Sequence, residues 1–223
     1  MNLAIFDLDH TLLPLDSDYS WVKFYVARCP VEERAVLLAK NEALMVAYQA
    51  GVLDPADSLS FLIGLLARRP RAQLESWHAD FMKEIIVPVI GEAALTLIKH
   101  HQDAGDITLI STATNSFVTQ PIAQALGIST LIATEPQENT QREFTGQWLG
   151  TPNFGPGKVT RVQQWLEQQG KTLENFNRSF FYSDSINDLP LLNQVTDPIA
   201  TNPSPALKSI AYQQGWKTIR IFE

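Results

Sequence analysis

The sequence contains one cysteine, Cys29, and therefore has no partner for a disulfide within the chain. None of its four histidines belongs to a Cys/His spacing of the zinc-binding kind. Its apolar runs all fall short of the roughly 20 residues that span a bilayer. The first ten residues, MNLAIFDLDH, reach two acidic residues too early for a secretory signal. These absences favour a reducing compartment, and we expect a cytoplasmic protein.

Basic residues are also few, because 17 lysines and arginines stand against 24 acidic residues and give a net charge of -7. A broad surface for nucleic acid or for an anionic membrane normally shows clustered lysine and arginine, so we expect neither partner. With 223 residues, 45% of them hydrophobic and 18% charged, the chain is able to bury a core. This composition indicates a folded protein, and its net negative charge means that an anionic substrate needs local positive charge. The composition leaves the oligomeric state open.

Short apolar runs alternate with helical segments over much of the chain. The run Leu3–Phe6 turns acidic at Asp7, as a buried parallel strand does when it ends at a functional edge. Five later runs are also predicted strands, at 107–110, 131–133, 180–182, 198–200 and 217–221. Between them lie helical segments that are closed by glycine, at 92–104, 117–126 and 158–169. The alternation predicts an α/β fold with a Rossmann-like, mostly parallel sheet and helices on both faces.

Residues 16–86 break this alternation because their pattern is helical throughout. Asp54-Pro55 is typical of an N-cap followed by proline at the first helical position, and Pro30 and Pro70 mark breaks between helices. We interpret the stretch as an all-helical insertion after the first strand, with domain boundaries at 16–87 for the insertion and at 1–15 and 88–223 for the core. Later in the chain, glycines around aromatic residues predict a short hairpin over 143–150.

Two acidic residues, Asp7 and Asp9, follow the first predicted strand in the motif DLDHT. A carboxylate such as Asp7 attacks phosphorus directly when a metal neutralises the mutual repulsion, and a second acid two residues on protonates the leaving oxygen. Aspartates after a strand also serve as turn or N-cap residues. The motif alone leaves both interpretations open.

Three later segments provide other groups that this chemistry needs. Ser111 and Thr112 follow a predicted strand, where hydroxyls and backbone N–H groups hold phosphate, although a turn or cap is the commoner use of Ser111. Lys158 opens a helix, a position where the helix dipole disfavours a cation. Its ammonium is suited to pair with a carboxylate and a phosphate, although an isolated lysine is usually a solvated surface charge. Asp184 and Asp188 offer hard oxygen ligands for Mg²⁺, with an N-cap as the alternative for Asp184.

Together these segments resemble, in their order along the chain, the motifs of the haloacid dehalogenase-like hydrolases. The matching segments are DLDHT at Asp7, LIST ending at Thr112, Lys158, and SDSINDLPLL from Ser183. The helical insertion matches the cap position of the branch that contains phosphoserine phosphatase, subfamily IB. The resemblance implies a Mg²⁺-dependent phosphatase that hydrolyses a small-molecule phosphomonoester through an aspartyl-phosphate intermediate.

The resemblance also implies a role for each matching residue. Asp7 resembles the nucleophile and a metal ligand, and Asp9 the general acid and base that offers its backbone carbonyl to the metal. Asp184 resembles the remaining Mg²⁺ ligand, with Asp188 supporting it or the lysine. The residues implied to bind phosphate are Thr11, Ser111, Thr112, Lys158 and Asn187. An aspartate at position 9 implies phosphate transfer rather than dehalogenation.

Substrate choice is expected to lie in the cap, because a lid contacts the leaving group and excludes water. In phosphoserine phosphatase a glutamate at the start of the cap helps to bind the amino acid, and the matching place here is Asp16, with Asp18 nearby. Arg68 and Arg69 are candidates for a substrate carboxylate, although arginines at a helix end are often dipole partners or solvated charges. The acidic start of the cap equally favours a substrate amine, so phosphoserine and histidinol phosphate both stay open.

Two other classes of function compete with an enzyme. A receiver-like phosphorylation switch also uses an aspartate acceptor, a hydroxyl, a lysine and Mg²⁺, but it has no need of Asp9 or of an inserted cap. A catalytically silent binding protein is possible on the same fold, because fold does not establish function. The intact set of Asp7, Asp9, Lys158 and Asp184 argues against that second alternative.

Overall fold

A central sheet of seven strands organises the part of the chain that the computed structural model describes, residues 1–222 without the side chain of Gln49. The strands are β1 (Leu3–Phe6), β2 (Ile107–Asn115), β3 (Thr130–Glu138), β4 (Phe144–Leu149), β5 (Ser179–Ser183), β6 (Asp197–Thr201) and β7 (Lys217–Ile219). They lie in the order β4-β3-β2-β1-β5-β6-β7, and all neighbours are parallel except β3 and β4. The predicted α/β fold class is confirmed.

Four α-helices, followed by a π-helical turn (Met82–Ile86) and a 3-10 turn (Val87–Val89), lie between β1 and the helix that begins at Glu92. They fall almost entirely in the segment predicted as an insertion. The four α-helices are α1 (Ser17–Ala27), α2 (Val31–Gln49), α3 (Pro55–Leu66) and α4 (Arg71–Phe81). The other helices are α5 (Glu92–Asp103), α6 (Ser116–Ala125), α7 (Pro156–Glu167), α8 (Leu189–Leu192) and α9 (Pro205–Gln214). Within residues 1–222, no helix combines the length and apolar character needed to cross a membrane. We call residues 16–87 the cap segment and keep the division into cap and core as a proposal.

Aspartate and proline set the starts of the helices in the cap segment. The side chain of Asp16 accepts a hydrogen bond from the backbone N–H of Tyr19 at 2.7 Å and caps α1. Asp54 caps α3 in the same way, as predicted, and Pro55 is its first residue. Pro30 and Pro70 immediately precede α2 and α4, because proline fits the extended backbone before a helix and stops the preceding one.

The strand β1 is buried on both faces, which explains its unbroken apolar sequence. Ala4 and Phe6 face a core cluster that includes side chains of α1, α4, α5 and α6. Leu3 and Ile5 face a second cluster, which includes side chains of α7, α8 and α9. Since the two clusters enclose the strand, the backbone that carries Asp7 is held on both sides.

The strand β2 is longer than predicted, because it continues from Ile107 to Asn115 instead of stopping at residue 110. Its extra residues are rich in threonine, whose branched side chain favours extended backbone. Ser111 and Thr112 therefore lie inside a strand and not after one, and their side chains point to opposite faces.

The predicted hairpin is also placed differently. The segment 143–150 contains the single strand β4, which pairs antiparallel with the end of β3 through Glu135 with Leu149 and Glu138 with Phe144. The turn between the strands contains Arg142 at a φ of 64°. The hairpin thus begins earlier in the sequence than the glycine pattern indicated.

The carboxyl ends of β2, β1 and β5 meet at one edge of the sheet. Phe6, the last residue of β1, pairs with Ile110 of β2 and Tyr182 of β5. The backbone N–H of Asp7 donates to the carbonyl of Tyr182 at 2.9 Å, which extends this pairing by one residue. Ligands of open α/β sheets bind beyond this edge, so the fold directs attention to the residues that follow these strands.

Candidate active site

Lys158 holds two carboxylates in the protein interior. Its ammonium donates to Oδ1 of Asp7 at 2.7 Å and to Oδ2 of Asp188 at 2.8 Å, and the residue is only 3% exposed. The hydroxyl of Ser183 donates to the same Asp188 oxygen at 2.7 Å. Burial alone lowers the pKa of Lys158, but the charges of Asp188 and Asp7 raise it above its ordinary value. Lys158 is therefore a cation at neutral pH and is fixed beside Asp7.

A tight loop brings Lys158 to this position. The helix α7 begins at Pro156, two residues before the predicted start, and Lys158 lies in its first turn. A Cβ on Gly157 would lie 2.0 Å from the carbonyl oxygen of Pro152, so the loop requires glycine there. Gly155 has a φ of +52°, a conformation that side chains disfavour.

Thr11 lies between Asp7 and Asp184. Its hydroxyl oxygen is 3.2 Å from Oδ2 of Asp7 and 3.3 Å from Oδ1 of Asp184, and it accepts a hydrogen bond from the N–H of Asp184 at 3.0 Å. Thr11 is fully buried and does not line the cavity beside these residues. The structure thus gives Thr11 a bridging position between two carboxylates, and the phosphate contact that the resemblance implies stays a prediction.

Burial changes the protonation of this carboxylate cluster. Burial raises the pKa of Asp7, and the charge of Lys158 offsets only part of that effect. Burial also raises the pKa of Asp184 to about 8, with further contributions from the charges of Asp7 and Asp188. Three acidic side chains share one lysine, so additional positive charge would stabilise the ionised site.

Asp9 is held by two donors from different parts of the chain. Its Oδ1 accepts the backbone N–H of Ser17 at 2.8 Å, and its Oδ2 accepts the hydroxyl of Thr114 at 2.8 Å. Burial and the charge of Asp16 raise the pKa of Asp9, the two donors lower it, and the net result is a pKa of about 6. An acid with a pKa in this range is suited to both giving and taking a proton near neutral pH.

The structure separates the two hydroxyl residues at the end of the LIST segment, Ser111 and Thr112. Ser111 is fully buried, and its Oγ accepts a hydrogen bond from the side-chain amide of Asn153 at 3.1 Å, outside the cavity lining. Thr112 lines the cavity, and its hydroxyl oxygen accepts the N–H of Thr114 at 3.2 Å. The strand alternation of β2 explains the difference. Of the two predicted phosphate contacts, Thr112 is the one that faces the cavity.

The cavity lies between the sheet edge and the cap segment. The core contributes Asp7, Asp9, Lys158 and Asn187, among others. The cap segment contributes Tyr19, Tyr48 and an apolar wall made of Leu44, Met45, Leu53, Leu59 and Leu62. The hydroxyl of Tyr48 donates to Oγ of Ser185 at 3.2 Å, which joins the two sides.

Asp16 and Asp18 give one side of the cavity an acidic lining. Oδ1 of Asp18 accepts a hydrogen bond from the side-chain amide of Asn115 at 3.1 Å. Burial raises the pKa of both carboxyls, and the charges of Asp16 and Asp9 raise that of Asp18 further. Among the lining residues, all of which the structure describes, Lys158 is the sole lysine or arginine.

Arg68 and Arg69 lie away from the cavity. Arg68 is exposed, and the guanidinium of Arg69 is 3.5 Å from a carboxylate oxygen of Glu33. Neither residue lines the cavity. They follow the end of α3, where the guanidinium of Arg69 packs against Cys29 and Glu33, so the structure does not bring these two predicted substrate contacts to the site.

Comparisons with known proteins agree with this arrangement of groups. A model of the haloacid dehalogenase-like hydrolase family matches residues 4–193. The chain belongs to this family. It is 40% identical to a histidinol-phosphatase from Neisseria meningitidis serogroup C (strain 8013), with 98% of each chain covered. The prediction of a phosphoric monoester hydrolase is confirmed at this level.

Two solved structures are similar to this chain in fold. A protein of unknown function from Bordetella pertussis Tohama I is 47% identical, with a TM-score of 0.94 and 99% of each chain covered. A phospho-aspartyl intermediate analogue of phosphoserine phosphatase is 18% identical, with a TM-score of 0.69, and the match covers 99% of this chain and 93% of that one. The second likeness concerns the fold alone.

The donor set fits the magnesium ion that members of this family are expected to hold. Residues 1–222 contain no group of three or more His, Cys, Asp or Glu side chains arranged to hold a metal. Mg²⁺ commonly takes only one or two carboxylates and completes its shell with water and phosphate oxygens. The carboxylates of Asp7 and Asp184, brought together by Thr11, satisfy this smaller requirement.

Several residues of the site carry no signal in the sequence motifs. Thr114 and the N–H of Ser17 bind Asp9, Asn153 binds Ser111, and Tyr48 reaches the core from the cap segment. The partners in these contacts are between 8 and 137 residues apart in the chain. The threonines of β2 could have been singled out by continuing the strand alternation beyond residue 110, whereas the contact of Tyr48 has no local signal.

Proposed function

We propose that the protein is a Mg²⁺-dependent phosphatase that forms an aspartyl-phosphate on Asp7. A carboxylate oxygen of Asp7 forms a bond to phosphorus while the bond from phosphorus to the alcohol oxygen breaks, and Asp9 gives its proton to that oxygen. Water then attacks the phosphorus and gives a proton to Asp9, and the bond to Asp7 breaks. The carboxylates of Asp7 and Asp184 and the backbone carbonyl of Asp9 would hold Mg²⁺, which neutralises charge on the phosphate and orients it.

The fixed pair of Lys158 and Asp7 supports this proposal. The ammonium lies 2.7 Å from the carboxylate, so it is placed to contact a phosphate that approaches the same oxygen atoms. Repulsion between a carboxylate and a phosphate about 4 Å away costs roughly 4 kcal/mol per pair of unit charges at an effective dielectric near 20. Lys158 is already shared with Asp188, so it does not cancel these terms alone.

We further propose that the alcohol carries an amine and lacks a carboxylate. The observation behind this proposal is the acidic side of the cavity, formed by Asp16 and Asp18, together with the absence of a second lysine or arginine among the lining residues. A substrate ammonium would pair with these carboxylates. A substrate carboxylate would meet their negative charge without a cation to bind it, which disfavours phosphoserine.

Histidinol phosphate is the substrate that we propose within this class. It has an amine, no carboxylate and an imidazole ring, and the apolar wall with Tyr19 and Tyr48 is suited to a flat ring. The 40% identity to a histidinol-phosphatase over 98% of the chain supports the same assignment. The direct test is kcat/KM for L-histidinol phosphate, L-phosphoserine, phosphoethanolamine and sugar phosphates in the presence of Mg²⁺. A preference for phosphoserine or a sugar phosphate would overturn the assignment.

The role of the acidic side is tested by Asp18→Asn. We expect kcat/KM for L-histidinol phosphate to fall about ten- to hundredfold, because hydrogen bonds to a charged group contribute roughly 1.5–3 kcal/mol. Activity on phenyl phosphate, which has no amine, should change little. Asp80→Asn removes the same charge from an exposed position of the cap segment outside the cavity and serves as the control. Equal losses on both substrates would argue against an amine contact.

The covalent step is tested by Asp7→Asn. We expect phosphatase activity to fall to background, because an amide does not replace the attacking carboxylate. The fold should persist, since the change removes a buried charge and Lys158 keeps its bond to Asp188. Acid-quenched wild-type enzyme should carry phosphate on the peptide that contains Asp7. Activity near the wild-type level in a folded variant would remove the covalent mechanism.

A further inference from the structure

The proposed general acid is held on both of its carboxylate oxygens. The donor to Oδ1 is the backbone N–H of Ser17, at the start of the cap segment, and the donor to Oδ2 is the side chain of Thr114, near the end of β2. Each hydrogen bond is 2.8 Å long. A backbone donor survives substitution, whereas the Thr114 hydroxyl depends on the side chain.

Asp9 needs such support because of the charges around it. The carboxylate of Asp16 raises the energy of ionised Asp9. The charges of Asp9 and Asp18 also repel each other. Repulsion from these carboxylates favours rotation of the Asp9 side chain away from them. A short hydrogen bond from a buried hydroxyl, on a residue that is 4% exposed, opposes that rotation.

We propose that Thr114 is a positioning residue for proton transfer by Asp9, a proposal that rests on the function assigned to Asp9 above. When the proton moves from the Asp9 carboxyl to the departing alcohol oxygen, the carboxyl becomes a carboxylate. The O–H of Thr114 donates to this carboxylate, and hydrogen bonds to an ionised acceptor are stronger than those to a neutral one. The bond therefore strengthens as the phosphorus–oxygen bond breaks, which favours the transition state over the bound substrate.

The hydroxyl of Thr114 is directed to this task and not to the fold. Its hydrogen bond goes to the carboxylate of Asp9, and as a donor it also lowers the pKa of the neighbouring Asp18, whereas Thr119 and Thr134 donate to the backbone carbonyls of Asn115 and Ala113. The backbone N–H of Thr114 bonds to Thr112 whatever the side chain is. Valine at position 114 keeps the shape and the strand preference of threonine and removes only its hydroxyl.

The leaving group separates positioning from general damage. An alkyl alcohol needs a proton as it departs, whereas p-nitrophenolate departs without one. The ratio kcat/KM reports the steps up to this departure, so it is insensitive to the later hydrolysis of the aspartyl-phosphate. We expect Thr114→Val to lower kcat/KM about ten- to hundredfold for L-histidinol phosphate and for butyl phosphate, a part of the 10²- to 10⁴-fold that general acid catalysis supplies. For p-nitrophenyl phosphate we expect a change below about threefold on the same grounds.

Three further variants make the result specific. Thr114→Ser keeps the hydroxyl and should restore most of the activity on alkyl esters. Thr119→Val removes a buried threonine hydroxyl outside the site and should leave both substrate classes unchanged. Asp9→Asn should show the same dependence on the leaving group as Thr114→Val, but more strongly.

The outcomes separate this inference from the proposed function. Thr114 does not position the acid if Thr114→Val lowers kcat/KM equally for alkyl and aryl esters, or for neither, while Asp9→Asn lowers it selectively for alkyl esters. If Asp9→Asn itself shows no dependence on the leaving group, the role of Asp9 fails first. If Thr114→Val does not fold, the test uses Thr114→Ser and Thr114→Ala instead. The quantity compared is the ratio of kcat/KM for an alkyl ester to kcat/KM for p-nitrophenyl phosphate. A ratio that falls in alanine and is kept in serine supports the inference, and equal ratios overturn it.

Discussion

Lys158 is the residue on which the ionisation of the buried acids depends. It is the cation in contact with both Asp7 and Asp188, and it is nearly inaccessible to solvent. Removing one partner from a buried ion pair leaves an uncompensated charge, which is costlier than replacing the whole pair.

We predict that Lys158→Met destabilises the metal-free protein by about 3–5 kcal/mol, the usual cost of breaking a buried pair from one side. Methionine keeps the unbranched chain of lysine except for its last atom, so the loss of stability mainly reports the charge. The measurement is urea-induced unfolding in EDTA, for the single variants Lys158→Met and Asp188→Asn and for the double variant. The double variant should lose less than the sum of the two, since it leaves fewer unpaired charges. Strict additivity would show that the ion pair contributes little.

At this scale the sequence locates the aspartates and the lysine of the sheet edge better than it separates the two hydroxyl residues beside them. Asp7, Lys158 and Asp184 follow from the motif order, and the structure brings them together. Ser111 and Thr112 were both predicted to contact phosphate because their order in the sequence does not reveal which face of a strand each occupies. That distinction depends on where β2 ends, and a run of small hydroxyl residues gives no clear end.

Among the secondary-structure elements, the loop 151–155 and the first turn of α7 that follows it place the tightest requirement on the chain. The chain turns back so sharply here that Gly157, in the first turn of α7, lies against the carbonyl of Pro152. The loop and the first turn of α7 together fix the position of Lys158, so a shift of the loop moves the ammonium relative to Asp7.

We predict that Gly157→Ala destabilises the protein by about 1–3 kcal/mol, as overpacking does, and lowers kcat more than the loss of stability explains. Gly64→Ala is the matched control, because Gly64 lies inside α3 with open space around the missing side chain. Alanine there should stabilise the helix by up to about 1 kcal/mol and leave kcat unchanged. Thermal melting and steady-state kinetics of both variants check the prediction, which is contradicted if Gly157→Ala retains full activity.

The sequence predicts most elements of this fold but not their tertiary contacts. Apolar runs bounded by aspartate and glycine locate the strands of the sheet, and Pro30, Asp54 and Pro70 locate the helices of the cap segment. Contacts such as that of Tyr48 with Ser185 depend on how the cap segment sits over the sheet edge. No local pattern encodes that placement, since it results from the burial of apolar side chains of both parts in one cluster.

Over the whole molecule, the negative charge is partly concentrated at one site. The protein has a net charge of -7, and six acidic residues lie in or beside the cavity: Asp7, Asp9, Asp16, Asp18, Asp184 and Asp188. Burial raises the pKa of every one of these groups. Their ionisation therefore opposes folding in the absence of a bound cation.

We predict that the metal-free protein loses stability as the pH rises from 5 to 9. In the folded protein the carboxyls of Asp9 and Asp184 have pKa values of about 6 and about 8, against an ordinary value of 3.8. The stability that the folded protein gains by keeping these groups protonated is therefore full below pH 3.8 and is lost as the pH rises through the folded pKa values. Each pKa unit corresponds to about 1.4 kcal/mol, and each kcal/mol to roughly 2–4 °C in the melting temperature of a protein of this size. Melting temperatures measured in EDTA should fall by several degrees, and less so in Asp184→Asn.

Since Mg²⁺ binds ionised carboxylates, saturating Mg²⁺ should raise the melting temperature more at pH 8.5 than at pH 5.5. A melting temperature in EDTA that is flat or rises across this range would show that the acids are ionised at little cost, and the electrostatic need for a metal at this site would then disappear.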